Sequence, residues 1–351
     1  MEYFWYSYVD GNRLAIDAGK STGVVTTARL THATPASTYA HSPERVWEND
    51  SDLTNAAVDA GCTDIASQFI DAPQINVALG GGRREFLPIT ETDPEYPGSR
   101  GQRRDGRNLV EEWKAEHPAN SEFVWNKEQF DDVDPDTIRY LFGLFETGHM
   151  QFESERPDDG AGEPSIAEMT DKAIRILSKN SNGFFLAVEG ARVDHGHHDN
   201  IPYNALHDTL AMEAAVQPSI GGDALPYTTL GYLNGPGGFQ TAISFRNNGT
   251  RPNLRDVETN SKDHVVETLV PLPSESHSGE DVVIYASGPF AHLFHGVHEQ
   301  NYIAHVIRYA ACLGDGKQVC TDAVEDPCGG TLINSYNTLV LLLLVLTKFL
   351  F

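Results

Sequence analysis

Four short stretches of the chain are almost wholly apolar and β-branched, and each runs straight into a polar cluster. Gly23-Val-Val-Thr-Thr-Ala28 runs into Thr31-His-Ala-Thr-Pro35. Ile75-Asn-Val-Ala-Leu79 runs into Gly80-Gly-Gly-Arg83. Phe184-Phe-Leu-Ala-Val188 runs into Glu189, and Asp281-Val-Val-Ile-Tyr-Ala286 into Ser287-Gly-Pro289. Runs of this length without polar alternation suit strands covered on both faces. Helical periodicity lies between them. Ser165 and Glu168 have capping-box spacing, and Ile166, Met169, Ala173, Ile176 and Leu177 then share one face. Leu53 to Ile70 and Asn301 to Cys312 also read as helices. The pattern predicts an α/β fold, a central sheet flanked by helices on both faces. Pro218 to Pro273 is richer in Gly, Pro and Asn and reads as a loop-rich insertion.

Composition narrows the chemistry. The 351 residues are 40% hydrophobic and 21% charged, a globular balance. The formal net charge of −25 repels phosphate backbones and argues against nucleic acid as a partner. It also repels phosphorylated small molecules, unless bound divalent cations reverse the sign locally. Of the four cysteines, Cys62, Cys312, Cys320 and Cys328, none has CxxC spacing, so a metal would need His and carboxylate ligands. Cys312 and Cys320 could close a small loop.

In open α/β sheets, sites gather beyond the carboxyl ends of strands. The densest cluster at such an end is Val188-Glu-Gly-Ala-Arg-Val-Asp-His-Gly-His-His-Asp199, with three carboxylates and three imidazoles. Asp194 and His198 are four apart and converge on one ion if the turn is helical. His32-Ala-Thr34 is too small to hold a metal alone but could complete a site begun by Glu189. Glu275-Ser-His277 supplies one more imidazole, and Arg45 could fork a phosphate. Gly80-Gly-Gly-Arg83 lacks the Lys-Ser/Thr ending of a phosphate loop, and no Gly-x-Ser-x-Gly elbow occurs.

Three stretches together resemble the animal, GPI-anchored type of alkaline phosphatase: Thr22 to Pro35, Leu186 to His198 and His292 to Gln300. The resemblance runs from about Asp17 to Cys320, with a gap in the middle. It implies a single phosphatase domain over 1–320, with 218–273 as a small crown-like insertion, and hydrolysis of phosphate monoesters with zinc and magnesium. It implies that Asp194, His198 and His277 bind the first zinc. Thr34 and Glu189 would hold magnesium, with His32 in its outer shell, and Arg45 would grip the substrate phosphate. A calcium site would fall on Glu95, the Phe145 carbonyl, Glu146 and Glu163. His195 and His197 receive no ligand role. A homodimer is the family habit.

The chain also departs from the family. The nucleophilic serine belongs to an Asp-Ser-Ala stretch upstream of the matched region, and this sequence has none. The second zinc's Asp-His pair should follow the helix near Leu206 to Val216, where Gln217 instead meets Pro218-Ser-Ile-Gly-Gly222. The partner of Cys62 is also upstream, which leaves its thiol unpaired. These departures make a catalytically inactive homologue with a partial metal site the alternative expectation.

The C-terminal Thr338 to Phe351 is apolar, short and interrupted by Lys348. It follows small residues at Cys328-Gly329-Gly330 and a polar spacer, the pattern of a GPI signal over 321–351. That implies a cell-surface glycoprotein, although Met1 to Asp10 does not read as a signal peptide. Asn49-Asp-Ser51 and Asn248-Gly-Thr250 are N-glycosylation sequons.

Overall fold

A computed structural model describes residues 12–71, 75–216, 232, 234–248, 261–266, 268, 270–277, 282–286, 290–311 and 313. The C-terminal tail, Cys312, Cys320, Cys328 and most of the 218–273 insertion lie outside the described residues.

The core is a five-stranded sheet with every neighbouring pair parallel. Its strands are β1 (Ser21–Arg29), β2 (Val77–Gly81), β3 (Ser121–Val124), β4 (Tyr140–Leu144) and β5 (Phe184–Glu189), in the order β3-β4-β2-β1-β5. β1 is central, and its seven inner residues are all buried. Alternate side chains feed two cores. Val25, Leu79, Leu141 and Leu186 pack with Met169, Ala173 and Leu177 of α3 (Ile166–Leu177) and with Met212 of α5 (Pro202–Val216). On the other face, Val24, Ala78, Phe142 and Leu144 meet Phe69 of α1 (Ile65–Asp71) and Trp113 of α2 (Leu109–Glu116). Gly23 fits where α3 crosses the sheet, since a Cβ there would lie 2.9 Å from both Leu177 Cδ1 and Leu186 Cδ1.

The capping box at Ser165 and Glu168 forms as expected. Two expectations fail. Leu53 to Ile70 is not one helix but a 3-10 turn at Asp50–Asp52, a short helix Asn55–Asp59 and then α1. Gly61, at φ +80°, sits in the break, a left-handed backbone that an α-helix does not accommodate. The expected strand Asp281 to Ala286 also fails: residues 282–286 form no strand, and Val283 and Tyr285 are exposed. Within the insertion, the described residues include a helix, α6 (Gly237–Asn248), and a two-stranded pair, β6 (Asn234–Gly235) with β7 (Val270–Pro271). Helix α7 (Tyr302–Ala310) is close to its expected span. Asn49 is fully buried, with its amide donating to Asp52 and Glu85, so that sequon is closed off in the folded chain. Among the described residues Cys62 is a free thiol, and no helix is long and apolar enough to cross a membrane.

Candidate metal centre

The sheet order fixes where the site falls. After β1 the chain moves outward to β2, then to β3 at the far edge and back to β4 beside β2, and only later crosses to β5 on the opposite side of β1. The reversal leaves a crevice beyond the carboxyl ends of β1 and β5, where open α/β sheets bind ligands. Thr31 to Thr34 leave β1 there. Glu189 ends β5 there, and helix α4 (Ala191–His198) begins two residues later.

Register sets Thr26 beside Glu189, and the Thr26 hydroxyl donates to Glu189 Oε2 at 2.7 Å. The Thr34 hydroxyl also bonds the Glu189 side chain. Burial raises this carboxyl despite both hydroxyls. Thr34 and Glu189 are thus brought together as an oxygen donor set, the kind that suits magnesium.

One turn of α4 places Asp194 under His198. Asp194 Oδ2 lies 3.1 Å from His198 Nε2, and Asp194 Oδ1 lies 2.8 Å from His277 Nε2. The His198 and His277 rings stack at 4.9 Å. His277 comes from 77 residues further along the chain than Asn200, and main-chain bonding holds its segment. The Glu275 amide donates to the His198 carbonyl at 2.8 Å, and the Ser276 amide donates to Asn234 Oδ1 at 2.9 Å. His198 Nδ1 lies 2.5 Å from the Glu275 carbonyl, which can only accept, so Nδ1 carries the proton. Nε2 is then the nitrogen left for a metal. Binding the second ring nitrogen to a carbonyl is a common way to orient a metal-ligating histidine. Burial alone would raise Asp194, but bonds from His198 and His277 hold it well below the usual carboxylate range. The same contact raises His198. The three ligand atoms lie within 4.8 Å of one another and remain partly exposed. Two imidazoles and a carboxylate with an open side fit zinc.

Arg45 reaches back over the crevice, with Nη2 3.0 Å from His32 Nε2. Two imidazoles that carried no expectation of a direct role gather beside His32. They are His149 from the loop after β4 and His195 of α4, and the three rings offer nitrogens within 4.8 Å of one another. Burial foremost, then the nearby arginines, lowers His32 to about 4 and His195 to about 3, and pushes His149 down as well. His149 stands alone in Thr147-Gly-His-Met150, with no spacing that marks it in the sequence.

A second cluster lies beyond the end of β4. Glu95, Glu146 and Asp159 offer oxygens within 4.8 Å of one another. Glu163 is buried near them, with Oε2 accepting from the Gln151 amide and Oε1 without a partner, while Phe145 is buried at the end of β4. Asp159, absent from the expected calcium set, is the third member of the converging trio. Burial and the neighbouring carboxylates raise Glu95 to about 7 and Glu163 to about 9.

The family model for alkaline phosphatase matches residues 12–222 and 217–313. The chain belongs to the alkaline phosphatase family. It is 41% identical over 350 residues to an alkaline phosphatase of Gadus morhua, covering 87% of this chain and 72% of that one. It is 40% identical over 357 residues to the tissue-nonspecific isozyme of Homo sapiens, covering 89% and 67%. A solved variant of the TAB5 alkaline phosphatase, with magnesium bound, superposes at a TM-score of 0.53. That match covers 86% of this chain and 75% of that one at 20% identity, and it bears on the fold alone. The two stretches of the family match meet at 217–222, where the phosphatase Asp-His segment was expected.

Proposed function

We propose that the site serves metal-dependent hydrolysis of phosphate monoesters, with zinc at Asp194, His198 and His277 and magnesium at Thr34 and Glu189. The observation that carries this is the convergence of Asp194, His198 and His277 beside the Glu189–Thr34 pair, at the crevice where β1 and β5 end. Bound there, zinc and magnesium would supply the positive charge that stabilises the oxygens entering and leaving phosphorus. The protein's own part is to hold and orient. The Glu275 carbonyl fixes the His198 tautomer, Thr26 aims Glu189, and the Arg45 guanidinium is free on its outer side to fork a phosphoryl group. A calcium ion at Glu95, Glu146 and Asp159, with Glu163 and the Phe145 carbonyl, would neutralise the buried acidic cluster.

A second reading is favoured by one observation, the absence of an Asp-Ser-Ala stretch from these 351 residues. In that reading the chain holds metal and phosphate without turnover. Assay of p-nitrophenyl phosphate at alkaline pH with zinc and magnesium separates the two. The 351-residue chain is expected to show little turnover, and rates like those of a full-length relative would refute the second reading. Metal analysis is expected to find zinc that Asp194→Asn loses. Zinc content unchanged by that substitution would refute the proposed ligand set.

The same reading makes the chain a homodimer at the cell surface, held by a GPI anchor near Cys328-Gly329-Gly330.

A further inference from the structure

His277 is the least sheltered of the three proposed zinc ligands. Its side chain is 56% exposed, against 28% for His198 and 25% for Asp194. Among the described residues it meets the Asp194 carboxylate and the His198 ring, and its own packing does little to aim it. Its aim therefore depends on where the backbone before it is held. That backbone is tied on two sides. The Glu275 amide on the His198 carbonyl ties it to α4 directly. The other tie runs through Asn234 of β6, whose side chain grips Ser276 twice. Its Oδ1 accepts from the Ser276 amide at 2.9 Å, and its Nδ2 donates to the Ser276 hydroxyl at 2.8 Å. A backbone amide can only donate, so the Asn234 side chain has one workable orientation. Both of its ends are used on the residue next to His277.

Asn234 is itself placed from α4. Asn200 lies two residues beyond His198, fully buried, in a left-handed backbone at φ +56°. Asparagine just past a helix is an ordinary stop signal. This one does more than end the helix. Its Nδ2 donates to the Asn234 carbonyl at 3.3 Å, and its Oδ1 accepts from the Gly237 amide at 3.3 Å. One side chain thus spans β6 and the start of α6. The Asn200 carbonyl accepts from the Val266 amide at 3.0 Å. Gly235 passes so close that a Cβ there would collide with the Asn200 side chain. The His197 ring adds a further tie, to the Tyr232 hydroxyl at 2.8 Å. The loop-rich insertion is fastened to the end of the helix that carries Asp194 and His198. From there it reaches back to the residue before His277.

We propose that Asn200 and Asn234 are positioning residues for His277, a two-asparagine relay that sets the third zinc ligand from the helix bearing the other two. The inference rests on the zinc ligand set proposed above. It gives the insertion a task at the metal centre. Without the relay, the His277 segment is tied down on one side only, towards α4, and one ligand of three is loose. Removing groups that orient metal ligands typically costs about 10–100-fold in metal affinity.

The test is the zinc affinity of the full 351-residue chain, measured by competition with a chromophoric chelator, with and without His277. Asn234→Ala, a change at a half-buried position, is expected to weaken zinc about 10–100-fold. Asn200→Gly, which keeps the left-handed backbone, is expected to do the same. In the His277→Ala background the same two substitutions should change affinity by less than about twofold, because the ligand they serve is gone. The cobalt(II) absorption of Asn234→Ala should move towards that of His277→Ala. Circular dichroism checks the fold of each variant, and Asn234→Ala carries the test if the buried change at Asn200 unfolds the chain. Equal losses in both backgrounds would overturn the inference, since the asparagines would then act on the fold rather than on His277. So would an unchanged affinity when His277 is present. Either result leaves the zinc ligand set standing, provided that His277→Ala itself weakens zinc. Zinc affinity unaltered by His277→Ala would sink that ligand set and the inference with it.

Discussion

Glu163 shows how burial and neighbouring charge act on a single side chain. It is 2% exposed, its Oε1 has no partner, and Glu95, Glu146 and Asp159 crowd it. Burial first, and those carboxylates next, raise it to about 9. A folded pKa above the unfolded one means that the folded state binds the proton more tightly. Its contribution to stability is therefore full in acid below about 4.5 and is lost as pH climbs towards about 9. Without calcium, the urea midpoint is expected to fall steadily across that window. Glu163→Gln should flatten the profile, and calcium should do the same by supplying the missing countercharge. A midpoint as pH-dependent in Glu163→Gln as in the parent would assign the slope to another group. Little of this was legible beforehand: Glu163 was expected as a ligand by resemblance, but Asp159 sits in Pro157-Asp-Asp-Gly160 like any acidic turn. His149 is the same case, because only the fold of the β4 loop brings it to His32 and His195.

At the scale of elements, the sequence was most readable where both faces of a strand are buried. β1 and β2 are apolar runs buried on both faces, and both were read as strands from that pattern, whereas β5 alternates between buried and half-buried positions. β3 and β4 carried less signal. Ser121-Glu-Phe-Val124 is a four-residue edge strand with only Val124 buried, so its pattern resembles a loop. The break at Gly61 was hidden because apolar spacing continues across it, and only backbone geometry distinguishes two helices from one. Contact between α3 and the sheet can be tested at Gly23. A methyl group there meets Leu177 Cδ1 and Leu186 Cδ1 at 2.9 Å and the Val77 carbonyl oxygen at 3.3 Å. Gly23→Ala should destabilise by about 1–3 kcal/mol through overpacking. Leu177→Ala alone should cost about 2–5 kcal/mol by leaving a cavity. The double variant should cost less than the sum, because the new methyl partly refills that cavity. Strict additivity in denaturant titrations would mean that α3 does not press on Gly23 as described.

At the scale of the whole molecule, the sheet is well covered on its faces and less so at one edge. β5 pairs only with β1 among the described residues, which leaves one row of its backbone groups without a strand partner. An unpaired strand edge is a template for pairing with other chains. The segment expected to form another strand, Val282 to Tyr285, lies outside the sheet with exposures of 53%, 60%, 37% and 61%. Four consecutive exposed β-formers near neutral charge fit the profile of aggregation-prone windows. The sequence misread this segment because its apolar run suits a buried strand, whereas burial depends on a neighbouring strand to pair with. The pattern supplies the segment's preference but not the partner. Val283→Lys should therefore raise solubility and cut light scattering on warming. The unfolding midpoint should move by no more than about 0.5 kcal/mol equivalent, as for other exposed positions. A large loss of stability would show that Val283 is packed in solution and that this edge is covered. Reduced scattering at an unchanged midpoint would place the chain's tendency to associate on this exposed run rather than on the metal centre.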